Sequence, residues 1–175
     1  MTTPNNTEHA NIAVITGASS GLGEQFYETI AHRYPDLDEI WLIARRKERL
    51  EALAERYPNI RARVRALAFD LSAASSYDEL SSMLAEEQPV VRVLINNAGF
   101  EREGLLRDMT PKDILAMIDL NIMGMTMVNR VFSAVYARWL IRSNHRIGLL
   151  VRPDPMADGV FGEQGVHPFP RAGFA

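Results

Sequence analysis

The feature that most constrains the fold of this chain is a glycine-rich turn between an apolar strand and a helix. The stretch Ala13–Gly23 reads Ala-Val-Ile-Thr-Gly-Ala-Ser-Ser-Gly-Leu-Gly, and residues 24–30 are typical of a helix. A strand, a glycine turn and a helix in this order predict a nucleotide-binding crossover. Glycines let the backbone approach a diphosphate, and the free N–H groups of the helix N-terminus can bind the anion. The alternative is an ordinary strand-to-helix turn without a ligand.

The apolar pattern of the whole chain predicts an α/β fold. Apolar runs predict strands over residues 10–16, 39–44, 61–69 and 89–95, and helical patterns follow over residues 21–34, 47–57, 76–87 and 111–141. This alternation predicts a Rossmann-like, doubly wound parallel sheet that is incomplete, with four or five strands. Ligands bind at the carboxyl ends of such strands. The glycine turn, Asp70 and Asn96–Gly99 all fall there.

Two helix starts are predicted from their capping residues. Ser76 and Glu79 have the spacing of a capping box, so we expect Ser76 to cap the third helix. Thr110 followed by Pro111 predicts the start of the fourth helix, because threonine is a good cap and proline suits the first helical position.

Two of these segments carry a family resemblance. The turn at Thr16–Gly23 has the spacing Thr-Gly-x-x-x-Gly-x-Gly, and the fourth strand is followed by Asn-Asn-Ala-Gly at 96–99. Over residues 11 to about 135 the chain resembles the short-chain dehydrogenase/reductase family. The resemblance implies an oxidoreductase that moves hydride between a nicotinamide cofactor and a small carbonyl or alcohol substrate. It implies cofactor contacts at Gly17, Ser19, Ser20, Gly21, Leu22, Gly23, Asn97, Ala98 and Gly99.

Arg45 and Arg46 follow the second strand, near the expected position of the adenosine ribose. An acidic residue there would accept a hydrogen bond from the 2′-hydroxyl of NAD. Guanidinium groups instead suit a phosphate, so the pair predicts a preference for NADP over NAD. The alternative is a solvated helix start, since surface arginines are common.

Further roles come from the resemblance alone. Asp70 by itself reads as a turn residue, but the resemblance implies that it contacts the adenine, with Leu71 beside it. Asn121, in the segment Asn-x-x-Gly, resembles the family asparagine that holds a water in the proton relay to an active-site lysine. The helix around it faces a partner subunit in the family, which implies a homo-oligomer. Its four methionines favour a packing role over a soft binding surface.

Composition excludes several classes of function. The chain has 175 residues, a formal charge of −3 and no cysteine. We therefore expect one globular domain, no nucleic-acid partner, no disulfide and no thiolate metal site. The four histidines lack ligand spacing, so no metal is predicted. Residues 1–11 lack the pattern of a signal peptide and no unbroken apolar run approaches 18 residues, so we expect no membrane span and a cytoplasmic location.

The resemblance ends before the family's catalytic tyrosine and lysine. Lys47 and Lys112 are the only lysines of the sequence, so Tyr-x-x-x-Lys does not occur after Asn121. Residues 142–175 hold four of the nine prolines and five of the eleven glycines, which is typical of irregular structure. We therefore expect a flexible N-terminus over 1–10, a partial NADP-binding domain over 11–141, and an irregular or disordered tail over 142–175.

Three functions remain open on the sequence alone. The first is an NADP-dependent oxidoreductase, for which the catalytic tyrosine and lysine are absent. The second is a non-catalytic NADP-binding module. The third is a shortened product that does not fold stably, because missing strands would leave a sheet edge and apolar faces uncovered.

A shifted reading frame would explain the altered tail. Back-translation of residues 160–169 with degenerate codons, read from the second base of each codon, permits Tyr-Ser-Ala-Ser-Lys-Ala-Phe-Ile-Leu-Ser. We hypothesise that the frame slipped between about Val135 and His145. We expect the coding DNA, read in the shifted frame, to encode Tyr-x-x-x-Lys without interruption. Stop codons in that frame would contradict the hypothesis.

Overall fold

Four six-residue segments form a parallel sheet in the computed structural model, which describes residues 9–57 and 59–143. The strands are β1 (Asn11–Thr16), β2 (Glu39–Ala44), β3 (Arg63–Ala68) and β4 (Val90–Ile95). Their order across the sheet is β3-β2-β1-β4, and each adjacent pair is parallel. The two central strands, β1 and β2, are almost entirely buried, as continuous apolar runs in a covered parallel sheet should be.

Helices cover both faces of this sheet. They are α1 (Leu22–Arg33), α2 (Lys47–Arg56), α3 (Ala74–Glu87), α4 (Pro111–Ile118) and α5 (Met125–Ser143). One core joins α1 and α2 to the sheet, and a second core joins α3 and α5 to its other face. The predicted α/β, doubly wound architecture is therefore confirmed.

The alternation of side chains along β1 divides the two cores. Ala13 and Ile15 point toward α1 and α2, whereas Ile12 and Val14 belong to the core of α3 and α5. All four side chains are fully buried. Successive strand residues face opposite sides of a sheet, so a strand covered on both faces must be apolar at every position.

Strand β3 lies at an edge of the sheet and is only partly buried along its length. Arg65 donates to Glu87 at 2.5 Å and to Glu39 at 3.3 Å, and its guanidinium lies 4.7 Å from the centre of the Trp41 ring. Charged side chains on an edge strand disfavour pairing with a further strand.

The structure confirms one predicted helix start and corrects the other. The Thr110 hydroxyl accepts from the Asp113 backbone N–H at 3.2 Å, so it caps α4 as expected. The capping box at Ser76 is wrong, because α3 begins at Ala74 and Ser76 is buried in its first turn. The Asp70 carboxylate accepts from both the backbone and the hydroxyl of Ser72, which turns the chain into the helix two residues early.

The predicted single helix over 111–141 is interrupted. Residues Asp119–Gly124 form a π-helical segment between α4 and α5. Short π-helical segments inside α-helices are frequent at functional sites. A Cβ on Gly124 would lie 3.0 Å from the carbonyl oxygen of Leu71, so this small residue lets the helix approach the loop after β3.

The segment Pro111–Val135 is long and apolar enough to cross a bilayer by length and composition, with a mean hydropathy of 1.3 and 17% of its most apolar window buried. Four charged residues of this segment, Lys112, Asp113, Asp119 and Arg130, interrupt its apolar residues, which is why no unbroken apolar run is visible in the sequence. Long helices of soluble proteins pass the same test. The predicted flexible N-terminus and irregular tail lie outside the described residues, apart from residues 9–10 and the helical residues 142–143.

Candidate cofactor site

A cleft of about 310 Å³ opens at the carboxyl ends of the strands. It contains every predicted cofactor-binding residue except Gly21 and Gly23. Its lining consists of Gly17, Ser19, Ser20, Leu22, Ile43, Ala44, Arg45, Arg46, Phe69, Asp70, Leu71, Asn97, Ala98, Gly99 and Leu120. Segments up to 103 positions apart in the chain thus meet at one edge of the sheet, as expected for a doubly wound fold.

The three glycines of the turn have different physical roles. Gly17 has a φ of 66°, and a Cβ there would lie 2.7 Å from the Cα of Ala98. A Cβ on Gly23 would lie 2.3 Å from the carbonyl oxygen of Gly17, so α1 can start this close only because Gly23 has no side chain. Gly21 has a φ of 57° and open space around it, so its requirement is conformational.

The N-terminus of α1 faces the same turn. Its N-cap residue is Gly21, which has no side chain to accept a hydrogen bond from the first turn of the helix. The Gly23 N–H donates to the carbonyl of Ser20 at 3.2 Å. The uncapped first turn, with its positive dipole end, is therefore suited to an anion such as a diphosphate.

The charged residues that line the cleft are Arg45, Arg46 and Asp70. Arg46 Nη2 donates to the Ser19 hydroxyl at 3.2 Å, which ties the loop after β2 to the glycine turn. Hydrogen bonds from the side chain and then the backbone of Ser72 lower the pKa of Asp70, and the charge of Arg45 lowers it further. Asp70 therefore stays ionised at neutral pH and presents a hydrogen-bond acceptor in the cleft.

Thr16 is the residue that sequence reasoning missed. Its hydroxyl donates to the carbonyl of Ile95 at 3.3 Å and accepts from the N–H groups of Asn97 and Ala98, each at 3.0 Å. Asn97 Nδ2 returns two bonds to the carbonyls of Thr16 and Gly17, each at 3.2 Å. The only sequence signal for the role of Thr16 was its place in the Thr-Gly motif. Its hydroxyl bonds residues about 80 positions away, and local sequence patterns do not reveal such contacts.

Asn121 lies beside the cleft without lining it. Its carboxamide pairs with the backbone of Phe100, donating to the carbonyl at 2.8 Å and accepting from the N–H at 3.0 Å. A Cβ on Gly99 would lie 3.1 Å from the Asn121 Oδ1. The amide thus fastens the π-helical segment to the turn that follows β4, a contact that the sequence did not predict.

The parallel sheet with a cleft at the carboxyl ends of its strands is a Rossmann-like fold, and comparison with known proteins identifies its class. Residues 11–143 match the sequence profile of the short chain dehydrogenase family. The chain therefore belongs to the short-chain dehydrogenase/reductase family of oxidoreductases.

Solved structures of this family resemble the chain over most of its length. A short-chain dehydrogenase from Sphingobium yanoikuyae in complex with NADPH is 32% identical with a TM-score of 0.62, covering 77% of this chain and 49% of that one. An alcohol dehydrogenase from the archaeon Thermococcus sibiricus complexed with 5-hydroxy-NADP is 29% identical with a TM-score of 0.65, covering 73% and 54%.

Curated relatives are longer than this chain. The very-long-chain 3-oxoacyl-CoA reductase of Emericella nidulans is 31% identical over 125 residues, which are 68% of this chain and 35% of the relative. The oxidoreductase UcpA of Salmonella typhimurium is 30% identical over 148 residues, which are 83% of this chain and 54% of the relative. The chain thus spans about a third to a half of these two relatives.

We predict that the Thr16 hydroxyl stabilises the fold as well as the cleft. Thr16→Val keeps the shape of the side chain but leaves two N–H groups and a carbonyl without their partner. We expect it to lower the free energy of unfolding by about 1–3 kcal/mol in urea titrations. Thr16→Ser keeps the hydroxyl and should cost much less, so equal losses for the two variants would contradict the prediction.

Proposed function

We propose that this chain binds NADP(H) in the cleft at the carboxyl ends of the four strands, as the cofactor-binding part of a short-chain dehydrogenase/reductase. When bound, the nicotinamide supplies or accepts the hydride that family members exchange with a carbonyl or alcohol. The observation that carries the proposal is that the glycine turn, Arg46 and Asp70 line the same cleft.

The glycine turn suits the diphosphate. Side chains on Gly17 or Gly23 would collide with backbone atoms at less than 3 Å, so the turn exposes bare backbone at its surface. The uncapped N-terminus of α1 adds N–H groups and a positive dipole end. These residues would hold the diphosphate without any cationic side chain.

The two arginines support NADP as the preferred cofactor. Arg46 bonds the hydroxyl of Ser19, and Arg45 lies close enough to Asp70 to lower the pKa of that carboxyl. Arg46 is thus placed to bind a 2′-phosphate together with Ser19, whereas the charge of Arg45 is partly offset by Asp70. The NADPH and 5-hydroxy-NADP complexes of the Sphingobium and Thermococcus relatives agree with this choice.

The remaining cleft residues receive the adenine and the nicotinamide side of the cofactor. Asp70 and Leu71 would border the adenine, because they follow the strand next to the proposed phosphate site. Asn97, Ala98 and Gly99 would border the cofactor further along the cleft. Asn121 uses one N–H and one lone pair on Phe100, and its second N–H has no partner among residues 9–57 and 59–143, so that N–H would hold a water in a proton relay.

The sequence supports binding without efficient turnover. A phenol acts as acid or base near neutral pH only when neighbouring charge lowers its pKa. Family members use a lysine four residues after the tyrosine, and the sequence has no lysine beyond Lys112. We therefore propose a cofactor-binding role for this chain and assign catalysis on a small carbonyl or alcohol to its longer relatives.

Self-association and a cytoplasmic location belong to the same proposal. Five apolar residues of α4, the π-helical segment and the start of α5 are each more than 40% exposed: Leu115, Ile118, Ile122, Met123 and Met125. An apolar surface of this kind supports contact with a second copy. A cysteine-free chain has no need of an oxidising compartment.

Cofactor binding is tested directly with the full chain. We expect NADPH fluorescence to change saturably on titration, and we expect no NADPH oxidation above background with a panel of ketones and aldehydes. Reduction of any of these carbonyls would show that catalytic groups exist elsewhere in the chain. Absence of saturable binding by a chain that melts cooperatively would overturn the proposed function.

We predict that Arg46→Ala selectively weakens the binding of NADPH. Loss of a charge-assisted bond to phosphate should reduce NADPH affinity about tenfold or more and leave NADH affinity nearly unchanged. Arg49→Ala removes the same charge from an exposed position of α2 outside the cleft and serves as the control. A ratio of NADPH to NADH affinity that is equal in both variants would reject the phosphate assignment.

A further inference from the structure

Asn96 and Asn129 form an amide pair between the end of β4 and helix α5. Asn96 Nδ2 donates to Asn129 Oδ1 at 3.0 Å, and both residues are partly buried. Within the described part of the chain this is the only side-chain hydrogen bond of Asn96, because its Oδ1 is buried without a partner. The orientation of the Asn96 amide therefore depends on Asn129.

The pair adds an anchor to the turn that lines the cleft. On the β1 side, the Thr16 hydroxyl holds the backbone N–H groups of Asn97 and Ala98. On the α5 side, Asn129 holds the side chain of the preceding residue, Asn96. A turn bound from both sides has little freedom to rotate, which matters because Asn97 and Ala98 line the cleft.

The cost of an unpaired buried amide sets the strength of this anchor. The Asn96 amide oxygen already lacks a partner, so the remaining hydrogen bond to Asn129 offsets most of the free-energy cost of burying the amide. If Asn129 were replaced by an apolar residue, the Asn96 amide would have to rotate toward other donors and acceptors or toward water. Asn97 is its immediate neighbour in the chain, so that rotation would disturb the cleft.

We infer that Asn129 is a positioning residue for the cofactor cleft, acting through Asn96 on the turn Asn97–Gly99. The inference rests on the proposed NADP(H) binding. Asn129 itself does not line the cleft, so its effect on binding is indirect. A residue that merely stabilised α5 would change the melting temperature without changing the turn.

Binding measurements on the full chain test the inference. Asn129→Leu keeps the size of the side chain and removes the acceptor, and we expect it to weaken NADPH binding about three- to tenfold well below the melting temperature. Asn129→Asp retains the acceptor, and we expect its NADPH affinity to lie close to that of the wild-type chain. Ser133→Leu and Ser133→Asp place the same residues one turn further along α5, at an exposed position, and control for the apolar surface and the charge.

Hydrogen exchange of the free protein tests the inference without the cofactor. In Asn129→Leu, the amides of residues 96–100 should exchange faster relative to those of β1 than they do in the wild-type chain. Unchanged relative exchange in a folded variant overturns the inference, and so does wild-type NADPH affinity in Asn129→Leu. If the wild-type chain does not bind NADPH but the exchange effect occurs, the proposed function fails while the anchoring of the turn stands.

Discussion

The hydroxyl of Thr16 joins the two turns on which the cleft depends. Thr16 is 1% exposed. Its hydroxyl donates to the backbone carbonyl of Ile95, the last residue of β4, and accepts from two backbone N–H groups of the turn that follows. A hydroxyl that uses one hydrogen and two lone pairs is fully satisfied, so it can be buried without an unpaired group. Because Thr16 also begins the glycine turn, the two sides of the cleft keep a fixed separation.

Close backbone packing follows from this junction. Gly17 approaches Ala98, and Gly23 approaches the carbonyl of Gly17, at distances that no side chain would permit. The polar groups of the cleft are thereby supported by rigid parallel strands covered on both faces by helices. No lysine follows Lys112 in the sequence, so this framework forms from residues that do not include a Tyr-x-x-x-Lys motif.

Much of the fold followed from local patterns. The apolar runs predicted all four strands to within two residues at each end, and Pro111 with Thr110 located the start of α4. Local reasoning failed at the start of α3, where a turn at Asp70 competes with the cap predicted at Ser76. It also failed at the π-helical segment, because the amide of Asn121 pairs with Phe100, 21 residues away.

The sequence by itself determined the class of fold and the residue types of the cleft. Hydrophobic periodicity and the positions of glycines can be read directly from the sequence. Parallel strands bring their carboxyl ends to one edge of the sheet whatever the details of packing. Only the tertiary structure decided which groups bond one another: Thr16 with Asn97, Arg46 with Ser19, and Asn96 with Asn129. These bonds join residues 27 to 81 positions apart, and such pairings exist only after the sheet and its helices have packed.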